Sequence, residues 1–198
     1  RVDYLAGYRT LNLSEGIVIS DVSNFPGGIG LHIVDVIRTR NQFNGAQIGF
    51  QSHAGAVERG LGVEGGFKIG LGSMRQEISM GGSNTYYVGG IPDPQAGGFY
   101  AQGANAGLFT RERIATVSEL NLGLTYKFTR NVQISFGYNL IYASSVIRPG
   151  EAIDPSINEN QVRYISNPTP TPVLAPYQRW NANDFWVQGM TFGATLMY

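Results

Sequence analysis

Residues 132–142 read VQISFGYNLIY, an unbroken two-residue period. Successive side chains of an extended strand point to opposite faces of a sheet. Val132, Ile134, Phe136, Tyr138, Leu140 and Tyr142 therefore share one face, and Gln133, Ser135, Gly137 and Asn139 share the other. An apolar, ring-bearing face backed by a small polar one, repeated along several long strands, is a soluble sheet turned inside out. The arrangement it implies is a membrane barrel with the rings outward and the polar set enclosed.

Composition narrows the alternatives. The chain has 198 residues, 42% hydrophobic and 14% charged, enough for one domain and too little charge for a disordered chain. The formal net charge is zero and no Lys/Arg cluster occurs, so nucleic acid is not expected as a partner. The 27 glycines and 12% aromatic residues suit twisted sheets with bends and interfacial rings. With no cysteine, disulfides and thiolate metal sites are excluded. No apolar run approaches the roughly 18 residues of a membrane helix. Alternating barrel strands average to a neutral hydropathy, so that absence leaves the barrel open. The sequence opens on Arg1 and shows no segment with a charged start and an apolar centre, so it is expected to be mature, trimmed or a fragment.

Six segments alternate: 2–12, 44–52, 61–71, 114–128, 132–142 and 185–198. In the first, Leu5, Leu11 and Leu13 blur the rule; the second and third are clean, with Ala46, Ile48 and Phe50, then Leu61, Val63, Phe67, Ile69 and Leu71, on the apolar face. Each segment supplies the roughly 9 to 11 residues that a tilted strand needs to cross hydrocarbon. The connections around 54–60 and 129–131 are short. Those over about 14–41, 73–112 and 148–184 are long and are expected as outward loops, the short-long rhythm of a membrane barrel. Ile17 to Ser20 and His32 to Ile37 favour extended conformation and could pair as a hairpin rising beyond the bilayer. The segment 167–176, NPTPTPVLAP, is too proline-rich to join a central ladder.

Thr191, Gly193, Leu196 and Tyr198 follow the order polar, any, Gly, any, any, apolar, any, aromatic at the chain end, which resembles the C-terminal assembly signal of bacterial outer-membrane barrels. Tyr126, Phe128, Trp186 and Tyr198 fall near strand ends, where amphipathic rings favour the headgroup level.

Taken in order, VDYLAGYRTLNLSE (2–15), TRNQFNGAQIGF (39–50), FKIGLG (67–72), VSELNLGLTYKFTRNV (117–132), FGYNLIYASSVIRPGEAID (136–154) and FWVQGMTFGATLMY (185–198) resemble the putative beta-barrel porin family of type 7. The resemblance covers most of the chain. It implies an all-β, antiparallel up-and-down transmembrane barrel of the bacterial outer membrane, with these blocks as the C-terminal part of a longer one. It carries no substrate. Six strands alone would leave almost no lumen, so 1–198 reads as one barrel domain or the C-terminal part of one.

The charges on the enclosed face are the candidate site: Asp3, Arg9, Glu64, Lys68, Arg113, Glu119 and Lys127. Facing lipid they would be very costly, whereas inside they can pair as a structural network or form a constriction that selects by charge. Arg9 with Glu119 is the preferred couple, and the near balance of signs implies weak ion selectivity. His32 and His53 are spaced for neither a metal site nor a nucleophile and base pair. His32 near Asp35 is the nearest approach to a loop-borne hydrolase. GLGVEG (60–65) has the spacing of a dinucleotide loop, but alternation runs straight through it where a helix would have to start. FYAQGANAG (99–107) either folds inward as a constriction or is displayed on the surface. In RPGEAID (148–154), Pro149 and Gly150 end a strand, and Arg148, Glu151 and Asp154 could pin the loop.

The expected function is a passive outer-membrane pore or structural envelope component, without cofactor, metal or covalent chemistry. Its expected partners are outer-membrane lipid, the outer-membrane assembly machinery, and other envelope proteins or a second copy. The alternatives are a plugged barrel that docks a partner through its loops, a barrel hydrolase and a soluble β-sandwich lectin.

Overall fold

The computed structural model describes residues 1–55, 60–158 and 175–196. Its strands are β1 (Val2–Phe25), β2 (Ile29–Gly55), β3 (Gly60–Val88), β4 (Ile91–Ala96), β5 (Gly107–Lys127), β6 (Val132–Ile147) and β7 (Ala182–Leu196), with one helical turn, α1 (Pro149–Ala152). All the strands pair antiparallel in one sheet ordered β1-β2-β3-β5-β6-β7, and β4 pairs with the far end of β3. The architecture is thus all-β and up-and-down, curled into a half-barrel. Among the described residues no helix is long and apolar enough to cross a membrane.

The curl is visible in contacts between strands that are not neighbours. Strands lie about 4.8 Å apart, so β2 and β6, three steps apart in the sheet order, would be about 14 Å apart if flat. Instead Asn41 on β2 meets β6 directly: its side-chain amide donates to the Ile147 carbonyl at 2.8 Å, and its oxygen accepts the Ile147 N–H at 2.9 Å. Gly45 and Gly72 face each other across β2 and β3, and a Cβ on either would overlap the opposing backbone. Glycine at both positions lets the two strands approach closely.

The strands run well past the alternating segments. Residues 14–25 and 29–41 are ladder, not loop: β1 and β2 form one hairpin pairing Ile17 with Ile37 and Ser20 with Val34. Its turn is at Pro26-Gly27-Gly28, where both glycines have positive φ. The expected loop 73–112 is likewise mostly strand, comprising the upper part of β3, β4 and the start of β5. The expected loop 148–184 holds α1 at its start and the first residues of β7 at its end.

The physical reason for the difference is an exchange of faces. On the outer face of β3, Leu61, Val63, Phe67, Ile69 and Leu71 are exposed, and the small or polar Gly62, Glu64, Gly66, Lys68 and Gly70 face in. Beyond Leu71 the roles reverse: Ser73 and Arg75 face out, while Met74, Gln76, Ile78 and Met80 are buried. β1 reverses between Tyr8 and Thr10 and β2 between Ala46 and Asn44, and the ladder places these at the same level. The register of a period-2 pattern therefore shifts by one midway along each strand, and across that shift the sequence reads as irregular. Leu11 and Leu13, which break the first segment, face inward onto the core of Phe43, Met74, Ala115 and Val117.

The inner face of the upper half is a dry core covered by the chain's own loops. Ile37, Ile78 and Met80 pack with Ala101, Ile147 and Ala152, with Ile19, Ile153 and Trp180 against them. Asp35, fully buried on β2, accepts the backbone N–H groups of Phe99 (3.0 Å), Tyr100 (3.2 Å) and Ala101 (2.8 Å). Segment 99–107 thus folds inward. A bulge between Ala143 and Val146, with Ser145 at φ 57°, frees the Ser145 carbonyl to accept the Gln76 amide. Arg111 stacks 4.5 Å over the Trp180 ring and donates to its carbonyl at 3.0 Å. Arg148 of the expected loop pin makes two N–H contacts to the Glu15 carboxylate, tying the end of β6 to β1.

Asp154 accepts N–H groups from Tyr177 (3.0 Å) and Ser156 (3.1 Å). Desolvation pushes its carboxyl upward, but these donors outweigh it and hold the group below the ordinary carboxylate range. A depressed folded pKa gives stability that is present above the unfolded value of about 3.9 and lost as pH falls through the lowered one. Hydrogen exchange at the Tyr177 amide is accordingly expected to hold steady from neutral pH down to about pH 4 and to accelerate, after correction for intrinsic rates, only below it.

Candidate functional site

The lower half of the inner face is lined by small and polar residues, and two of its cations gather around one carboxylate. Glu119 on β5 accepts the Arg9 guanidinium of β1, the Lys68 ammonium of β3 at 3.2 Å and the Asn121 amide at 2.9 Å. Lys68 and Glu119 are direct ladder partners, so antiparallel register alone sets them side by side. Arg9 comes from three strands away and meets Glu119 only because the sheet curls, with Gly45 and Gly72 leaving the intervening wall low. All three charged groups are partly buried, with 18% of the Arg9 and Glu119 side chains and 28% of Lys68 exposed. At such depth removing one partner leaves the others inadequately solvated, which costs more than the loss of a surface pair.

The arrangement has no nucleophile or metal geometry. It offers two fixed cations and one fixed anion at the junction between the polar lower face and the dry upper core. The remaining candidate charges lie on the same inner face without joining the cluster. Asp3 pairs with Arg1 at 3.0 Å, and Glu64 lies 3.7 Å from His53. Glu64, His53, Thr125 and Lys127 line a recess of about 370 Å³ at the lower mouth, and Gly123 leaves room for the Glu64 side chain. Arg113 sits opposite Met74, above the cluster, and is exposed.

The outer face carries the rings. Leu122 and Phe192 are exposed, Phe136 packs against Phe192 with centroids 5.1 Å apart, and Asn121 and Gln133 are on the inner side. Tyr126 and Phe128 meet edge to face at 4.7 Å near the lower end, and Trp186 pairs with Tyr142 near the upper limit of the apolar band. In the C-terminal signal Thr191 and Gly193 face in and Leu196 faces out, all exposed on β7; Tyr198 lies outside the described residues.

His32 and Asp35 do not come together. Three positions apart on one strand, they point to opposite faces: His32 is outward and 3.2 Å from the Ser20 hydroxyl, and the Asp35 carboxylate is sealed against segment 99–101. The hydrolase couple is therefore corrected: the carboxylate cannot orient that imidazole.

Sequence reasoning did not single out Asn121, which donates to Glu119, nor Asn41 and Gln76, which hold the backbone at the upper end of β6. For Asn121 the signal was a polar residue at an inward position of an alternating run; Asn41 and Gln76 lie beyond the alternating runs, in stretches expected as loops.

Comparison with known proteins gives a family: a family model described as Putative beta barrel porin-7 matches residues 1–198. No curated protein and no solved structure matches the chain.

Proposed function

We propose that this chain, which belongs to the beta barrel porin-7 family, forms wall of a passive pore in the bacterial outer membrane and performs no covalent chemistry. The exchange of faces at the level of Tyr8, Ala46 and Leu71 carries the reading. Below that level apolar side chains face out over Leu61 to Leu71 of β3. That is roughly 33 Å of strand, or about 24 Å of height at a tilt near 45°, the depth of a barrel's apolar band. Above it the outer face is mainly polar, with Thr10, Asn12, Asn44, Arg40, Arg38, Ser73 and Arg75 outward and Val18, Leu108 and Ile114 as exposed apolar exceptions, which suits a wall rising into water. The short turn at 128–131 then lies on the periplasmic side and the β1–β2 and β3–β4 hairpins outside the cell. The free edge of β7, with the Thr191, Gly193 and Leu196 pattern on it, suits presentation of that strand to the outer-membrane assembly machinery.

Conductance tests the reading. The protein reconstituted in a planar bilayer is expected to pass small ions with weak selectivity, because fixed charges of both signs line the inner face. Glu119→Gln leaves Arg9 and Lys68 without their shared carboxylate, and a several-fold shift toward anion permeability is expected in the reversal potential under a salt gradient. A folded, inserted protein that conducts nothing would overturn the pore. It would support the second reading, a plugged barrel that docks a partner, which the burial of Ala101, Gln102 and Asn105 against the inner face favours.

A further inference from the structure

We propose that the outward groove around Arg38 and Arg40 binds the phosphates of a phosphorylated glycolipid in the outer leaflet. The inference rests on the outer-membrane reading above and adds a ligand to a face the pore does not use.

Arg38 and Arg40 are successive outward residues of β2, exposed above the apolar band. Their guanidiniums stand in a depression of about 440 Å³ whose other walls include Ser14 and Gly16 of β1 and Glu77 and Ser79 of β3. Small residues on both flanks leave the guanidiniums uncovered; even a Cβ at Gly16 would only touch the Arg38 Cγ, at 3.5 Å. Arg75 is one row nearer the band and diagonal to Arg40, with the exposed Glu112 of β5 as its ladder partner. Among the described residues none of these three arginines makes an ion pair. Glu77 is the groove's own outward carboxylate, and Glu15, whose backbone lines it, is held inward by Arg148. Glu77 faces Arg40 across the ladder, so the groove keeps one guanidinium in excess, and the planar forks of Arg38 and Arg40 suit a phosphate better than a neutral headgroup.

Height selects the ligand class. Arg40 is six residues beyond Ala46, the last apolar outward residue of β2, and so stands about 14 Å above the hydrocarbon at a strand tilt near 45°. The headgroup layer of an ordinary bilayer is only about 5–8 Å deep on each side. A simple glycerophospholipid keeps its phosphate too low. A lipid that carries phosphates on sugars stacked above its acyl chains reaches the groove, with its chains against Tyr8, Ala46 and Leu71 below.

The full chain is placed in phosphatidylcholine nanodiscs containing a lipopolysaccharide with phosphorylated core sugars, and retained lipid is counted by native mass spectrometry. Preferential retention is expected, weakening with salt, and Arg38→Gln with Arg40→Gln is expected to reduce it about 10- to 30-fold, at roughly 1 kcal/mol for each surface cation. Arg38→Lys with Arg40→Lys should keep most of it. Equal retention of the same lipid stripped of its phosphates, of lipid A without core sugars, or by the double Gln variant overturns the proposal, as does competition by inorganic phosphate at equal concentration. Both substitutions are on an exposed face, so unchanged heat-modifiable migration on gels is expected and separates lost binding from lost fold. If the protein stays monodisperse without amphiphile, the membrane reading itself has failed; if it inserts but shows no preference, only this inference has.

Discussion

Replacing Gly72 by valine is expected to abolish the folded form. The new Cβ would overlap the Asn44 carbonyl and the Gly45 Cα, and both obstacles are backbone within a ladder that cannot swing aside as a side chain would. Overpacking a core with flexible surroundings costs about 1–3 kcal/mol, and a clash against rigid backbone at the point of sharpest approach exceeds that range. The check is the fraction of protein recovered as the heat-modifiable species after refolding into detergent, expected to fall near zero. Gly7→Ala and Gly81→Ala are the controls, since nothing lies within 4 Å of a Cβ at either position. If Gly72→Val refolds like those two, the glycine pair is not what permits the curl.

Asp35→Ala is expected to release the inner loop while leaving the sheet intact. The carboxylate is the acceptor for three consecutive backbone N–H groups, and its loss strands them next to a dry core. Each unsatisfied buried donor costs roughly 1–3 kcal/mol, so a total of about 3–6 kcal/mol is expected after partial relaxation toward water. Amides of residues 99–101 should lose their exchange protection, and the segment should become a protease site. The ladder amides of β5 and β6 near Asn121 and Asn139 should change little. Asp35→Asn, which keeps one acceptor oxygen, should fall between. Were the loop an adventitious covering of the core, all three proteins would exchange alike.

Legibility in the sequence followed the alternation and stopped where the alternation changed sides. Residues 61–71 and 132–142 are read correctly because one apolar set stays on one face throughout. The pairing of Ile17–Ser20 with His32–Ile37 was also visible in β-branched content. The lengths of β1, β2 and β3 were not, since Leu31, Ile33, Ile37 and Phe43 alternate with Val36, Arg38 and Arg40 while Asp35, Thr39 and Asn41 interrupt the apolar set. Asp35 accepts loop backbone N–H groups and Asn41 pairs with the backbone of Ile147 on β6, while the Thr39 hydroxyl has no hydrogen-bond partner among the described residues, and a sequence does not announce which segment will arrive. For the candidate site, Arg9 with Glu119 could be named from charge on a shared face, whereas Lys68 opposite Glu119 needed the register and Asn121 needed the geometry. His32 with Asp35 failed for an elementary reason, an odd separation along one strand.

β1 hydrogen-bonds along one side to β2, and β7 along one side to β6, with nothing described on their other sides. Hydrocarbon tolerates no row of bare amides and carbonyls. In a bilayer both margins therefore need backbone partners, and where those partners are further staves the bore of the finished cylinder is fixed by how many there are rather than by any side chain on these.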